Sequence, residues 1–257
     1  MPGPKWKKAV GPGTWLPPLA AGACLVGLWQ LLAVEYPFNV PTVAEVWRAL
    51  SSNFSSLVAS GGYTLSEALP GVALSFTVAL VLAVAMNQSR LLTRALLPIA
   101  VTLNSTPLIA FAPGLVAVFG FNPFPRVLLA AVITFFPALI NAMTGLSSAD
   151  PRAEEVFQTL SASRWEVLWR LRLPASLPYL FAGARIVVPL SIVSAAVAEM
   201  LAIGSNNGLG HVISNSYDYS QFDLAWAAIV VLGAIGVALM GLVVLAEDRV
   251  LRWRGFR

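Results

Sequence analysis

Residues 150–178 read DPRAEEVFQTLSASRWEVLWRLRLPASLP. This stretch carries Asp150, Arg152, Glu154, Glu155, Arg164, Glu166, Arg170 and Arg172, whereas the sequence on either side is apolar. Its punctuation is helical. Asp150 suits an N-cap and Pro151 the first helical position. Ser163 and Glu166 have capping-box spacing, so a second short helix begins there. Pro174 is expected to end it, because proline lacks the donor and disfavours a helical residue before it. The stretch therefore reads as two short amphipathic helices bent at residues 160–163. Phe157 and Leu160 share a face of the first; Trp165, Leu168 and Trp169 share a face of the second. It is too polar to span a membrane. It lies in water, on a membrane surface or against a partner, and physics alone leaves an interfacial loop and a docking element both open.

The rest of the chain is written for lipid. Of 257 residues, 58% are hydrophobic and 11% charged, against about 25% charged in soluble domains. This predicts an all-α, polytopic membrane protein. The net charge of +4 follows the membrane and does not imply nucleic acid. A single cysteine, Cys24, excludes an internal disulfide or cysteine cluster. A single histidine, His211, argues against a histidine metal site. The three lysines, Lys5, Lys7 and Lys8, precede every apolar segment, and no G-x-x-x-x-G-K-[ST] occurs. The chain has no P-loop, so ATP-driven work would need an ATPase on another polypeptide.

Six apolar segments are long enough to cross, since a crossing takes about 20 residues. They lie near 15–34, 64–86, 95–118, 127–146, 177–202 and 224–246, with a basic tail at 1–14, the charged loop at 150–174 and a second basic tail at 247–257. The first reads as a retained span rather than a cleaved signal. Between the first two, VAEVWRALSSNF has the pattern of a surface helix, and 204–223 reads as a polar outer loop. With the N-terminus inside, the inner segments hold Lys5, Lys7, Lys8, Arg90, Arg94, Arg152, Arg164, Arg170, Arg172, Arg249, Arg252, Arg254 and Arg257. The outer segments hold only Arg48 and Arg126. This asymmetry places both termini and the charged loop in the cytoplasm.

The loop also resembles a family signature. Binding-protein-dependent ABC importer permeases carry E-A-A-x-x-x-G, then an aliphatic residue ten positions on, then x-L-P. Glu155, Val156, Phe157 and Ser161 occupy the first part; Leu171, Leu173 and Pro174 close it. LPYLFAGARIVVPL, AEML (198–201) and NGLG (207–210) extend the resemblance, which is greatest to permeases for aliphatic sulfonates, taurine, nitrate and thiamine precursors. Two departures stand out. Val156–Phe157 replaces the alanine pair, and Ser161 replaces a glycine at a bend where positive φ costs other residues energy.

The resemblance implies a six-span permease of the type I importer kind, working as a homodimer in a prokaryotic plasma membrane. The charged loop would form coupling helices seated on two ABC ATPase subunits, which carry the ATP and magnesium. An extracytoplasmic binding protein would deliver a small solute. The chain itself would need no cofactor and catalyse no covalent chemistry. Arg152, Glu155, Phe157, Leu160, Ser161, Arg164 and Trp165 are the ATPase-coupling candidates.

Candidates for the path or a gate are Asn104, Ser105, Thr106, Pro107, Arg185 and Glu199. The first four interrupt the third span, where irregular backbone either lines a watery cavity or forms a kink satisfied by hydroxyls. Charges within a span face the bundle interior, water or a partner. Arg185 and Glu199 are fourteen positions apart, about 21 Å along a helix, so they do not pair with each other. Arg185 sits where it can brace the charged loop or an inner gate, and Glu199 where it can meet the outer loop or a second subunit. Structural pairing is favoured over substrate contact for both. Glu67 is expected at the interface, and Gly22, Gly27, Gly71, Gly183, Gly233, Gly236 and Gly241 at close helix contacts. A proton- or sodium-coupled secondary transporter is the rival reading. It leaves the charged loop unexplained. A membrane enzyme would need a nucleophile, metal or acid–base constellation facing the bilayer, and one histidine with few intramembrane acids argues against it.

Overall fold

A computed structural model describes residues 12–201 and 206–253. Lys5, Lys7, Lys8, Arg254 and Arg257 therefore lie outside the described residues, as does the expected end of the fifth span at Ala202. Among the described residues there are eleven α-helices and no strand. They are α1 (Pro12–Glu35), α2 (Val43–Ser52), α3 (Phe54–Gln88), α4 (Arg90–Ser105), α5 (Ala112–Phe119), α6 (Phe124–Leu146), α7 (Pro151–Thr159), α8 (Arg164–Val167), α9 (Leu173–Leu201), α10 (Leu209–Asp218) and α11 (Phe222–Trp253). A 3₁₀ turn, Leu108–Phe111, joins α4 to α5, and a π-turn, Leu168–Arg172, joins α8 to α9.

The centre of the molecule is the trio α3, α6 and α9. Small residues line their contacts, so the backbones come close and dispersion replaces the hydrophobic drive that lipid cannot supply. Ala79, Ala83 and Met86 of α3 pack on Ala138, Leu139, Ala142 and Leu146 of α6, with Leu168 and Val187 closing the cluster. A Cβ at Gly71 would lie 2.9 Å from that of Ala130, and one at Gly183 would lie 2.9 Å from that of Asn141. Gly145, which the sequence pattern did not single out, is equally tight against Ser176. The other five glycines expected at contacts have nothing within 4 Å. They face outward, so their small size serves no packing inside this chain.

A second layer covers one end of the trio. Val46 and Ala49 of α2 meet Leu57, Leu209, Ile213, Ala227 and Ala228. The expected surface helix forms as α2, and Thr42 caps it in a capping box with Glu45. Helix α1 joins the layer through Trp29, whose ring lies 4.9 Å from that of Trp226 and whose Nε1–H donates to the Pro41 carbonyl at 3.0 Å.

The six apolar segments map onto α1, α3, α4 with α5, α6, α9 and α11. Four of these helices are long and apolar enough to cross a membrane, and a shorter apolar helix covers Leu19–Glu35. Several boundaries differ from expectation. The third segment is not straight: α4 and Leu108–Phe119 meet at 82°. Pro107 lacks the N–H that would carry the helix on. Helix α3 begins ten residues early, at Phe54, and α11 continues past Ala246 to Trp253. The outer segment read as a polar loop contains α10, whose buried Leu209, Ile213 and Ser216 recur at helical spacing among polar neighbours.

Pro174 does not end a helix. Residues 164–201 run on as one helical span, because the Leu173 N–H reaches back five residues to the Leu168 carbonyl. That widened turn delivers Pro174 into the first turn of α9, where a missing N–H is tolerated.

Candidate functional site

The charged loop folds as its caps dictate. The Arg152 N–H donates to Asp150 Oδ1 at 2.9 Å, opening α7. At the other end the Ser161 N–H donates to the Gln158 carbonyl at 2.9 Å and the Ala162 N–H to the Phe157 carbonyl at 3.0 Å. This is a Schellman closure, which needs a left-handed residue after the helix. Ser161 supplies it at φ 53°. The bend falls where expected. Ser163 then caps α8: its backbone N–H donates to Glu166 Oε2 at 2.8 Å, and the Glu166 N–H returns to Ser163 Oγ at 3.2 Å. The Ser163 backbone N–H, and then its hydroxyl, hold the Glu166 carboxyl below the usual carboxylate range.

Arg172 pins the loop to the bundle. Its Nε donates to Glu154 Oε1 at 2.8 Å, and its NH1 donates to the Asn87 side chain at the end of α3. Beside it, Gln88, Glu154, Gln158, Arg164 and Arg172 line a cleft of about 180 Å³. The loop presents apolar residues to its surroundings: Leu160 is 74% exposed, Trp165 61% and Trp169 67%. Arg152, Glu155, Ser161 and Arg164 are exposed around them. Phe157 is half-buried and Leu168 is fully inside the core, so neither shares the outward face that helical spacing gave it. The Leu168 N–H donates to the Arg164 carbonyl in an ordinary α-turn, so Trp165 and Trp169, four apart, share the outward face while Leu168 enters the core. Trp169 and Arg172 were not among the coupling candidates. The partner of Arg172 is eighteen residues away, so no local pattern marks it.

The interrupted third segment places Asn104, Ser105 and Pro107 at the surface and leaves Thr106 half-buried at the bend. The hydroxyls of Ser105 and Thr106 fold back onto the Val101 and Thr102 carbonyls, at 3.0 and 2.9 Å. Their polarity is thus satisfied within the helix. Arg185 does not brace the charged loop; it pairs with Glu247 of α11.

Glu199 sits in a buried cluster at the opposite end of the trio, meeting the outer segment as one expectation had it. Its Oε2 accepts the Gly210 N–H at 2.7 Å and the Thr64 hydroxyl at 3.1 Å. Thr64 Oγ1 also accepts the Leu209 N–H at 2.9 Å. The carboxyl therefore fastens the N-terminus of α10 to α9 and α3, as suits an anion at a helix start. Gly208, at φ 100°, allows this: a Cβ there would lie 2.3 Å from the Glu199 carboxyl. Glu67 belongs to the same cluster and is buried rather than interfacial, with its Oε1 accepting from Arg126 Nε at 2.7 Å.

A family model described as "Binding-protein-dependent transport system inner membrane component" matches residues 71–252. The chain belongs to this family. The formylaminopyrimidine transport permease protein of Halalkalibacterium halodurans is 32% identical over 90% of this chain and 92% of its own length. The riboflavin transport system permease protein of Chloroflexus aurantiacus is 34% identical over 89% of this chain and 87% of its own. The putative aliphatic sulfonates transport permease protein of Bacillus subtilis is 27% identical, covering 93% and 88%. Among solved structures, an inward-facing form of the MetNI methionine ABC transporter superposes with TM-score 0.63 at 19% identity, over 76% of this chain and 95% of that one. That likeness establishes the fold. The importer-permease reading of the chain is borne out: this binding-protein-dependent permease is a multi-pass membrane component of an ABC transporter, and its ATPases are partners.

Proposed function

We propose that two copies of this permease form one import path and that each seats a separate ABC ATPase on residues 150–174. The observation that carries the reading is the exposed trio Leu160, Trp165 and Trp169, ringed by Arg152, Glu155 and Arg164, at the end of an unbroken helix. Buried aromatic anchors supply most of the energy at such interfaces, and flanking charges set register. The helix from Arg164 to Leu201 has 38 residues, a contour of about 57 Å. ATP-driven closure of the ATPases would move Trp165, and that motion would pass along α9 without a hinge loop to absorb it. Asn104, exposed beside the 82° bend, supports a protein- or water-facing surface there, because lipid would leave its amide unsatisfied.

Both termini are cytoplasmic by the arginine and lysine distribution. The membrane is a prokaryotic plasma membrane. An extracytoplasmic binding protein brings the cargo to the end where α2 and α10 lie. The names of the relatives point to a small solute such as a formylaminopyrimidine, an aliphatic sulfonate or nitrate. ATP and magnesium act on the partner, and no residue of this chain takes part in covalent chemistry.

The test is co-purification from gently solubilised membranes. A P-loop ATPase is expected at one copy per permease chain, and Leu160→Asp with Trp165→Asp should release it while the permease dimer stays intact. An intact dimer with no ATPase, or an ATPase retained by the double variant, would overturn the assignment.

A further inference from the structure

The outer cluster has a property that the import mechanism does not use. It joins α3, α6, α9 and α10 and contains two carboxyls and one guanidinium. Glu67 is 5% exposed and Glu199 2%. Each uses one oxygen. Glu67 Oε1 takes both Arg126 contacts, from Nε at 2.7 Å and NH2 at 2.6 Å. Glu199 Oε2 takes the Gly210 amide and the Thr64 hydroxyl. The remaining oxygens, Glu67 Oε2 and Glu199 Oε1, are both buried and have no donor. The two carboxyls meet at one turn of α3, since Thr64, which donates to Glu199, lies three positions before Glu67.

Ionised carboxylates only accept hydrogen bonds, so two of them cannot satisfy one another. The charges acting on Glu199 come from Glu67 and Arg126. The neighbouring α10 contributes the Gly210 amide to Glu199 and the Leu209 amide to Thr64, and its titratable side chain nearest in sequence is the half-buried His211. Two anions against one cation would leave a buried charge uncompensated, which proteins avoid.

We propose that Glu67 and Glu199 bind a single proton between them, Glu199 Oε1–H donating to Glu67 Oε2, and that this proton lets α10 close onto α9. One proton satisfies both orphan oxygens and brings the cluster to neutrality. Paired carboxyls elsewhere share a proton for the same reason. A hard metal ion is a poorer occupant: calcium takes six to eight oxygens, and no group of three or more metal-ligating side chains occurs among the described residues. The fit of the closure is tight, since a Cβ on Gly210 would come within 1.9 Å of the Ala196 carbonyl oxygen. Removing the proton would set two anions against each other directly beneath the start of α10. The proton is a structural ligand here, and ATP remains the energy source.

Infrared spectroscopy of the purified full chain in lipid nanodiscs at pH 7 tests this. A carbonyl-stretch band of a protonated carboxyl is expected, with the intensity of one group per chain and a shift in D₂O. Glu199→Gln should abolish it while keeping α10 closed, because the amide N–H₂ can donate to Glu67 Oε2. Glu67→Gln should abolish it as well. Absence of the band in the wild-type chain, in sodium or in choline chloride, would overturn the proposal. So would a band seen only when sodium is withheld, which would give the place to a metal ion, or a band that survives both substitutions. The wild-type spectrum decides even if a variant fails to fold. It involves no transport or ATPase, so its outcome stands apart from the importer assignment.

Discussion

Ser161 shows how a single backbone angle shapes the charged loop. A left-handed residue closes α7 and aims α8, and a side chain in that region costs about 1–2 kcal/mol. The structure keeps a serine there at φ 53°. Ser161→Gly removes the strain but adds about 0.5–1 kcal/mol of unfolded-chain freedom. It should therefore stabilise the loop by about 0–1.5 kcal/mol, whereas Ser161→Val, branched at Cβ, should destabilise it. Amide exchange at Ala162 and Ser163, slowed in the first variant and accelerated in the second, reads the difference locally. The same residue-by-residue logic explains Gly208 and Gly210. They belong to a turn signal legible in the sequence, but what they turn around is the Glu199 carboxyl, which the sequence does not place.

Among the elements, α8 is the one most exposed to solution conditions. Glu166 closes its capping box and its carboxyl is held low by the Ser163 backbone N–H. A depressed carboxyl contributes stability above its unfolded value, near 4.3, and loses it as pH falls through the lower folded value. The cap should therefore be intact at neutral pH and fail only in acid below about pH 4. Protection of the Glu166 and Val167 amides, corrected for intrinsic exchange, should drop in that range. Glu166→Gln should abolish the pH step. Helix punctuation of this kind is local, which is why Asp150, Pro151, Ser163 and Glu166 were readable in advance. The continuation through Pro174 was not, because it rests on the widened turn in which the Leu173 N–H reaches the Leu168 carbonyl.

For the molecule as a whole, long-range ion pairs hold the spans in register. Arg185 of α9 meets Glu247 of α11, a residue that composition assigns to a tail. The pair is partly exposed, with side-chain accessibilities of 41% and 13%, so its worth is well below that of a buried pair. A double-mutant cycle with Arg185→Ala and Glu247→Ala should return a coupling of about 0.5–1 kcal/mol in thermal unfolding. The Glu67–Arg126 pair is buried, and Arg126→Ala should cost about 3–5 kcal/mol by leaving a charge unpaired. Unfolding midpoints of the two sets, compared in the same detergent, check that ordering.

Composition and periodicity by themselves determined the helical class and the six apolar segments. These properties depend on neighbours within a few residues or on the membrane, which acts on every segment alike. The caps and the bend at Ser161 belong with them, since a cap is a contact between positions two or three apart. Tertiary structure alone decided which helix faces meet. It sent Leu168 inward and Trp169 outward, bent the third segment at Pro107, and joined Glu154 to Arg172 and Arg185 to Glu247. It also brought Glu67, Arg126 and Glu199 from three helices to the start of a fourth. The hydrogen bonds of that cluster span up to 145 positions. They are fixed by close packing of small residues across α3, α6 and α9, a property of the assembled trio and of no single stretch within it.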